Sequence, residues 1–150
     1  MKKFKDISTI DKATAYQVHK TSRMLRVHLM SFFKRHGYDL SPEQWFILFK
    51  IHEKEGQPQT DLTDKELADY PNVTRLLDAL EKKKFIERRP DPEDRRKSLI
   101  FLQDEGKKFL ETILQELPAE RRRVYSGVTE EEMESFNRVL NIIQNNISNL

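Results

Sequence analysis

No cysteine occurs among the 150 residues, which removes disulfides, thiolate metal sites and cysteine redox sensing together. Glycine is scarce, at 4 residues, too few for the many tight turns of a β-sandwich or barrel. No run approaches the roughly 18 consecutive apolar residues of a membrane span, and the N-terminus lacks a signal-peptide apolar core. A chain that is neither inserted nor exported, working in the cytoplasm, is therefore expected. Signatures of catalysis are missing as well. There is no glycine-rich phosphate loop, no G-x-S-x-G nucleophile turn and no convincing carboxylate pair, so no enzyme and no cofactor is expected.

What is present is charge and helical patterning. Charged residues make up 35% and hydrophobic residues 37%, a balance that suits a helical domain with a solvated surface. The net charge of +2 is small, but its distribution is uneven. Between Lys82 and Lys97 eight basic residues face four acidic ones, a net of +4 that leaves −2 for the rest. Such a run reads as a solvated loop or as a patch that meets polyanions.

Apolar spacing predicts a helix from about Asp11 to His36, apolar on several sides and ended by Gly37. Helices of that kind are covered on several sides, and in a short chain a second subunit is a source of that cover. Ser41-Pro42-Glu43-Gln44 has the spacing of a capping box and opens a second helix, which closes near Gly56. A short helix is predicted over Thr60–Leu67. Another follows from Pro71 to about Lys84, with Val73, Leu76, Leu77 and Leu80 on one buried face. Phe85–Arg88 and Ser98–Leu102 read as strands of a hairpin around a charged loop. A helix runs from Asp104 to about Tyr125, with a kink expected at Pro118. The last helix starts at the capping box of Thr129 and Glu132, with Met133, Phe136, Val139, Leu140, Ile143 and Ile147 largely on one face. The fold class is thus mainly α with a small β-hairpin wing, in six helices. A helix with small polar residues at its start, beside a basic hairpin tip, is a winged helix-turn-helix arrangement for DNA.

The motifs carry the reading further. Ser41-Pro42-Glu43-Gln44-Trp45, Val73-Thr74-Arg75-Leu76-Leu77-Asp78-x-Leu80-Glu81 and Ile86-Glu87-Arg88-x-Pro90-Asp91-Pro92-x-Asp94-Arg95-Arg96 resemble the multiple antibiotic resistance regulator (MarR) family of bacterial transcription factors. Leu102-x-x-x-Gly106 is a weaker echo. The resemblance implies one domain over 1–150, with a DNA-binding lobe at about 38–102. Dimerisation helices at about 6–37 and 104–150 would form the base of a homodimer. It also implies a repressor on a pseudo-palindromic operator, with half-sites about 10 bp apart.

Carried over by motif, Asn72 and Thr74 would approach base edges or phosphates, and Arg75 a phosphate or a guanine edge. Asp78 would orient a basic neighbour. In the wing, Arg96 would enter the minor groove, with Asp94 holding the wing base through a charge-assisted bond. Arg95 and Lys97 would meet phosphates, as would Gln59 and Thr60 at the preceding helix start. The family also implies a small-molecule effector, for which Tyr16, Met24, Met30 and Trp45 are candidate lining residues; residues of these types are more often plain core. His19, His28, His36 and His52 do not have metal-ligand spacing, and no metal site is expected. An activator, a ligand-independent regulator, a metal-responsive regulator and a winged-helix module for protein assembly remain open on the sequence.

Overall fold

The computed structural model describes residues 13–63 and 70–150. Its elements are α1 (Thr14–Arg35), α2 (Pro42–Glu53), β1 (Gln57–Pro58), α3 (Tyr70–Lys82), β2 (Ile86–Pro90), β3 (Ser98–Leu102), α4 (Asp104–Val124) and α5 (Glu130–Ser148), with a 3-10 turn at Gln59–Leu62. The protein is mainly α, with one small antiparallel sheet in the order β1-β3-β2. The described residues form two compact units that divide between Ile113 and Leu114.

The first unit is built around aromatic rings. Phe109 meets Phe33, Tyr38, Trp45 and Phe85 edge to face, with ring centroids 4.8–5.9 Å apart, a geometry that adds to plain apolar burial. Leu48, Ile51, Leu77, Leu80, Ile86, Ile100 and Ile113 are fully buried around them. Val73, Leu77 and Leu80 of α3 face inward as their spacing predicts, whereas Leu76 is half-buried at the edge of the stripe.

The helix ends follow local chemistry. Ser41 accepts the Gln44 N–H while the Gln44 side chain accepts the Ser41 N–H, so the predicted capping box is formed. Two helices end in Schellman motifs. After α1, Gly37 takes φ +86°, and the Tyr38 N–H reaches back to Phe33 O at 3.0 Å. After α3, Phe85 N–H bonds Leu80 O at 3.0 Å and Lys84 N–H bonds Glu81 O at 2.9 Å. There the left-handed position, φ +62°, holds Lys84 in place of a glycine.

Three features differ from the sequence reading. Five α-helices are described instead of six. The predicted helix over Thr60–Leu67 is described only at its start, which is a 3-10 turn closed by an extended Thr63; residues 64–69 lie outside the described part. Gln57–Pro58 adds a third strand, paired with Leu99 and Ile100. Finally, β2 runs two residues further than predicted, to Pro90 opposite Ser98.

Gly106 explains one motif position physically. A Cβ placed there would sit 2.2 Å from the Phe85 carbonyl oxygen, the same oxygen that accepts the Gln103 N–H at 2.9 Å. Only glycine allows the start of α4 to lie this close to the backbone after α3.

In the second unit α4 continues through Pro118 without ending, although that proline supplies no N–H to the turn before it. Thr129 and Glu132 form the predicted reciprocal cap of α5. No residue of α5 is buried. Phe136, Val139, Ile142, Ile143 and Ile147 are exposed, Phe136 at 51%, while Met133 and Leu140 are half-buried. In the first unit α1 likewise exposes Val18, Met24, Leu25 and Val27.

Candidate nucleic-acid interface

The interface is assembled from α3 and the hairpin of β2 and β3, joined by one side chain. Arg88 on β2 donates to Glu81 Oε2 and to Asp78 Oδ1, both at 2.7 Å, and weakly to the Thr74 carbonyl at 3.4 Å. Its backbone N–H adds a bond to Glu81 Oε1 at 3.2 Å. The Arg88 side chain is 18% exposed, and its Nε is buried without a partner. A single guanidinium thus ties three positions of α3 to the wing strand, using the fork geometry that lysine lacks.

This clamp changes the charge of both elements. Asp78 and Glu81, the carboxylates of α3, are committed to Arg88. Arg75 is exposed and has no ion pair among the described residues. Arg88 itself, part of the positive run in the sequence, turns inward and is neutralised. Arg89 is paired with Glu87 and lies over the Phe101 ring, 4.3 Å from its centroid. The cations left exposed in the wing loop are Arg95, Arg96 and Lys97.

The wing loop is held by its own aspartates. Asp91 N–H bonds Lys97 O at 3.0 Å and Lys97 N–H bonds Asp94 O at 2.9 Å, closing the loop. Asp91 Oδ1 accepts the Glu93 N–H at 2.9 Å. Asp94 Oδ1 accepts both the Arg96 N–H at 3.1 Å and the Arg96 Nε–H at 3.2 Å. Those bonds, the side-chain one foremost, hold the Asp94 carboxyl below its ordinary value of 3.8. The Arg96 side chain is nevertheless 92% exposed, so the bond fixes its base and leaves the guanidinium in solvent.

At the other end of α3, Gln59 Nε2 donates to Thr74 Oγ1 at 2.8 Å, joining two of the sequence-predicted contact residues. Asn72 is half-buried at the start of α3, and Thr60 is exposed on the 3-10 turn. Gln57 is buried and donates to the Lys50 and Lys54 carbonyls at 2.9 and 2.8 Å, closing the end of α2. Glu55 Oε1 accepts the Leu102 N–H at 3.0 Å and anchors β3.

The residues named for an effector are spread out. Trp45 is buried among the rings of Phe33, Phe49 and Phe109. Met24 is 63% exposed, and Tyr16 and Met30 are half-buried on α1. Among the described residues no group of three or more His, Asp or Glu is placed to hold a metal ion. No described helix is long and apolar enough to cross a membrane.

Comparison with known proteins agrees with this geometry. The MarR family model matches residues 40–98, from the start of α2 to the far side of the wing. The HTH-type transcriptional regulator YdgJ of Bacillus subtilis is 32% identical over 111 residues, covering 74% of this chain and 68% of its own. The HTH-type transcriptional regulator MhqR of the same organism is 29% identical over 118 residues, covering 79% of this chain and 80% of its own. Among solved structures, a complex of MepR of S. aureus with DNA superposes with a TM-score of 0.77 at 25% identity, covering 93% of this chain and 99% of that one. A MarR protein of Peptoclostridium difficile gives a TM-score of 0.78 at 21% identity, over 97% of this chain and 94% of that one, a likeness of fold. With the wing, the clamped helix and these relatives in agreement, the chain belongs to the MarR family of winged helix-turn-helix transcriptional regulators.

Proposed function

We propose that this protein is a homodimeric repressor that binds a pseudo-palindromic operator and is released by a small molecule. The Arg88 clamp carries the reading. It removes the carboxylates of α3 from competition and fixes α3 to the wing, so that Arg75, Arg95, Arg96 and Lys97 are exposed cations on one rigid body. In this reading α3 enters the major groove, with Asn72, Thr74 and Arg75 at base edges and nearby phosphates. Arg96 enters the minor groove from a wing base held by Asp94. Arg95, Lys97, Gln59 and Thr60 meet the backbone. That MepR, which superposes on this chain, is solved as a complex with DNA supports the DNA-binding reading.

The exposed apolar residues of α1 and α5 support a dimer, since monomers rarely leave such faces in water. A two-fold pair of lobes then selects half-sites about 10 bp apart. Release follows from differential affinity: an effector that prefers a lobe spacing unsuited to DNA lowers operator occupancy by that difference. Tyr16, Met24, Met30 and Trp45 are the family-derived candidates for its site. The one tryptophan of the chain gives such a ligand an intrinsic fluorescence readout.

The test is fluorescence anisotropy of the purified protein on DNA from upstream of its own gene, with random-sequence competitor, across a range of salt. Salt-sensitive binding that survives competitor is the expected result. A folded dimer that binds no DNA even at low salt would overturn the reading.

A further inference from the structure

We infer that Lys83 is a positioning residue that sets the operator spacing this protein accepts. It does so by pinning the end of α3 to the segment that closes α1. The inference rests on the dimeric DNA-binding reading above and deepens it from contact residues to the geometry that spaces them.

α1 exposes Val18, Met24, Leu25 and Val27, the face proposed to meet a second copy, and its buried residues are Phe32 and Phe33 near its end. A lobe gripped mainly at one end of that helix can tilt there unless further contacts resist. Three features converge on the joint. The Schellman motif after α1 fixes the direction in which Tyr38 and Asp39 leave the helix. The Tyr38 ring lies edge-on to Phe109 at 4.8 Å and to Phe85 at 6.4 Å. Lys83, the first residue after α3, donates from Nζ to the Asp39 carbonyl at 2.5 Å, across 44 positions of sequence. Arg88 and Gln59 also hold α3, but to the wing and the 3-10 turn of its own lobe. The pair of Arg26 with Glu43 ties α1 to α2 and does not touch α3. Lys83 joins the end of the recognition helix to the end of the proposed dimer helix.

The lever is long. Asn72, Thr74 and Arg75 lie at the far end of α3, about 15 Å from Lys83 at a rise of 1.5 Å per residue. A tilt of about 10–15° at the joint would carry them roughly 3 Å, close to one base-pair step. In a two-fold dimer both lobes tilt alike, so the change in spacing doubles.

The experiment uses full-length protein and an operator selected from a random duplex library. The operator is remade with the spacer between half-sites shortened or lengthened by one and two base pairs, and affinity is read by anisotropy. The quantity compared is the ratio between the best spacing and its neighbours, which cancels any uniform loss from removing a charge. Wild-type protein should show one sharp optimum. Lys83→Met keeps the length of the side chain without its donor and should flatten the ratio by about two- to five-fold, the worth of one exposed charged contact. Lys83→Arg keeps a charged donor and should keep the sharp optimum. Lys82→Met removes the adjacent charge and should leave the ratio unchanged. Lys82 and Lys83 are exposed, so none of these variants opens the core. A Lys83→Met protein with the wild-type ratio, or equal flattening in Lys82→Met, would overturn the inference while leaving DNA recognition standing. Wild-type protein that binds every spacing alike would do so without any variant. A selection that yields no paired half-sites would overturn both the inference and the dimeric reading beneath it.

Discussion

Three residues carry more of this structure than their types announce. Gly106 stands where any side chain would strike the Phe85 carbonyl. Gly106→Ala should lower stability by about 1–3 kcal/mol, the range of overpacking in a filled site, read as a drop in melting temperature. Lys84 occupies a left-handed position that costs a side chain about 1 kcal/mol. Lys84→Gly should therefore raise stability by a few tenths of that unit to nearly all of it, after the added freedom of the unfolded chain is subtracted; a lower melting temperature would contradict the motif. Asp94 is the titrating residue of the wing. Its folded pKa lies below the ordinary carboxylate value, so its contribution to wing order is complete above pH 3.8 and disappears as pH falls through the depressed folded value. The Arg96 amide resonance should shift over that acid range and stay flat in Asp94→Asn.

At the scale of elements, the sequence was most informative where periodicity and caps coincide. α2 and α5 open on side chains that do what S-x-x-Q and T-x-x-E spacing requires, and the buried stripe of α3 is nearly the predicted one. The hairpin was legible from its apolar strands and charged loop, but β1 was not. Two residues with a proline have no period to detect, and they become a strand only because β3 lies beside them. The candidate contact residues were named by motif alone, while the Arg88 bridge between α3 and the wing strand was missed. Arg88 was counted with the positive wing, although it shares a strand face with Ile86, two residues before it, and Ile86 is fully buried. That alternation was the available signal for an inward arginine. Losing the clamp should be felt on both sides of the interface. Arg88→Met is expected to cost about 1–3 kcal/mol of stability, since Asp78 and Glu81 remain partly solvated when their partner goes. DNA affinity should fall by more than the unfolded fraction accounts for, which binding and urea titrations on the same sample would separate.

For the whole molecule, the proposed dimer is tested at the exposed apolar face of α5. Phe136→Asp together with Ile143→Asp on α5 should convert a dimer into monomers in sedimentation experiments. Operator binding would then weaken by orders of magnitude, because each lobe would have to find its half-site alone. An unchanged sedimentation coefficient would place the subunit contact elsewhere. The small sheet bears on assembly in another way. Its two open edges are β1, two residues long and ending in Pro58, and β2, which carries Glu87, Arg88 and Arg89 and ends in Pro90. Neither offers a long, flat row of backbone donors and acceptors to a passing chain. If the apolar helix faces meet their copies in the proposed dimer, the chain is guarded meanwhile against a less selective route, the growth of cross-β fibres from a wing.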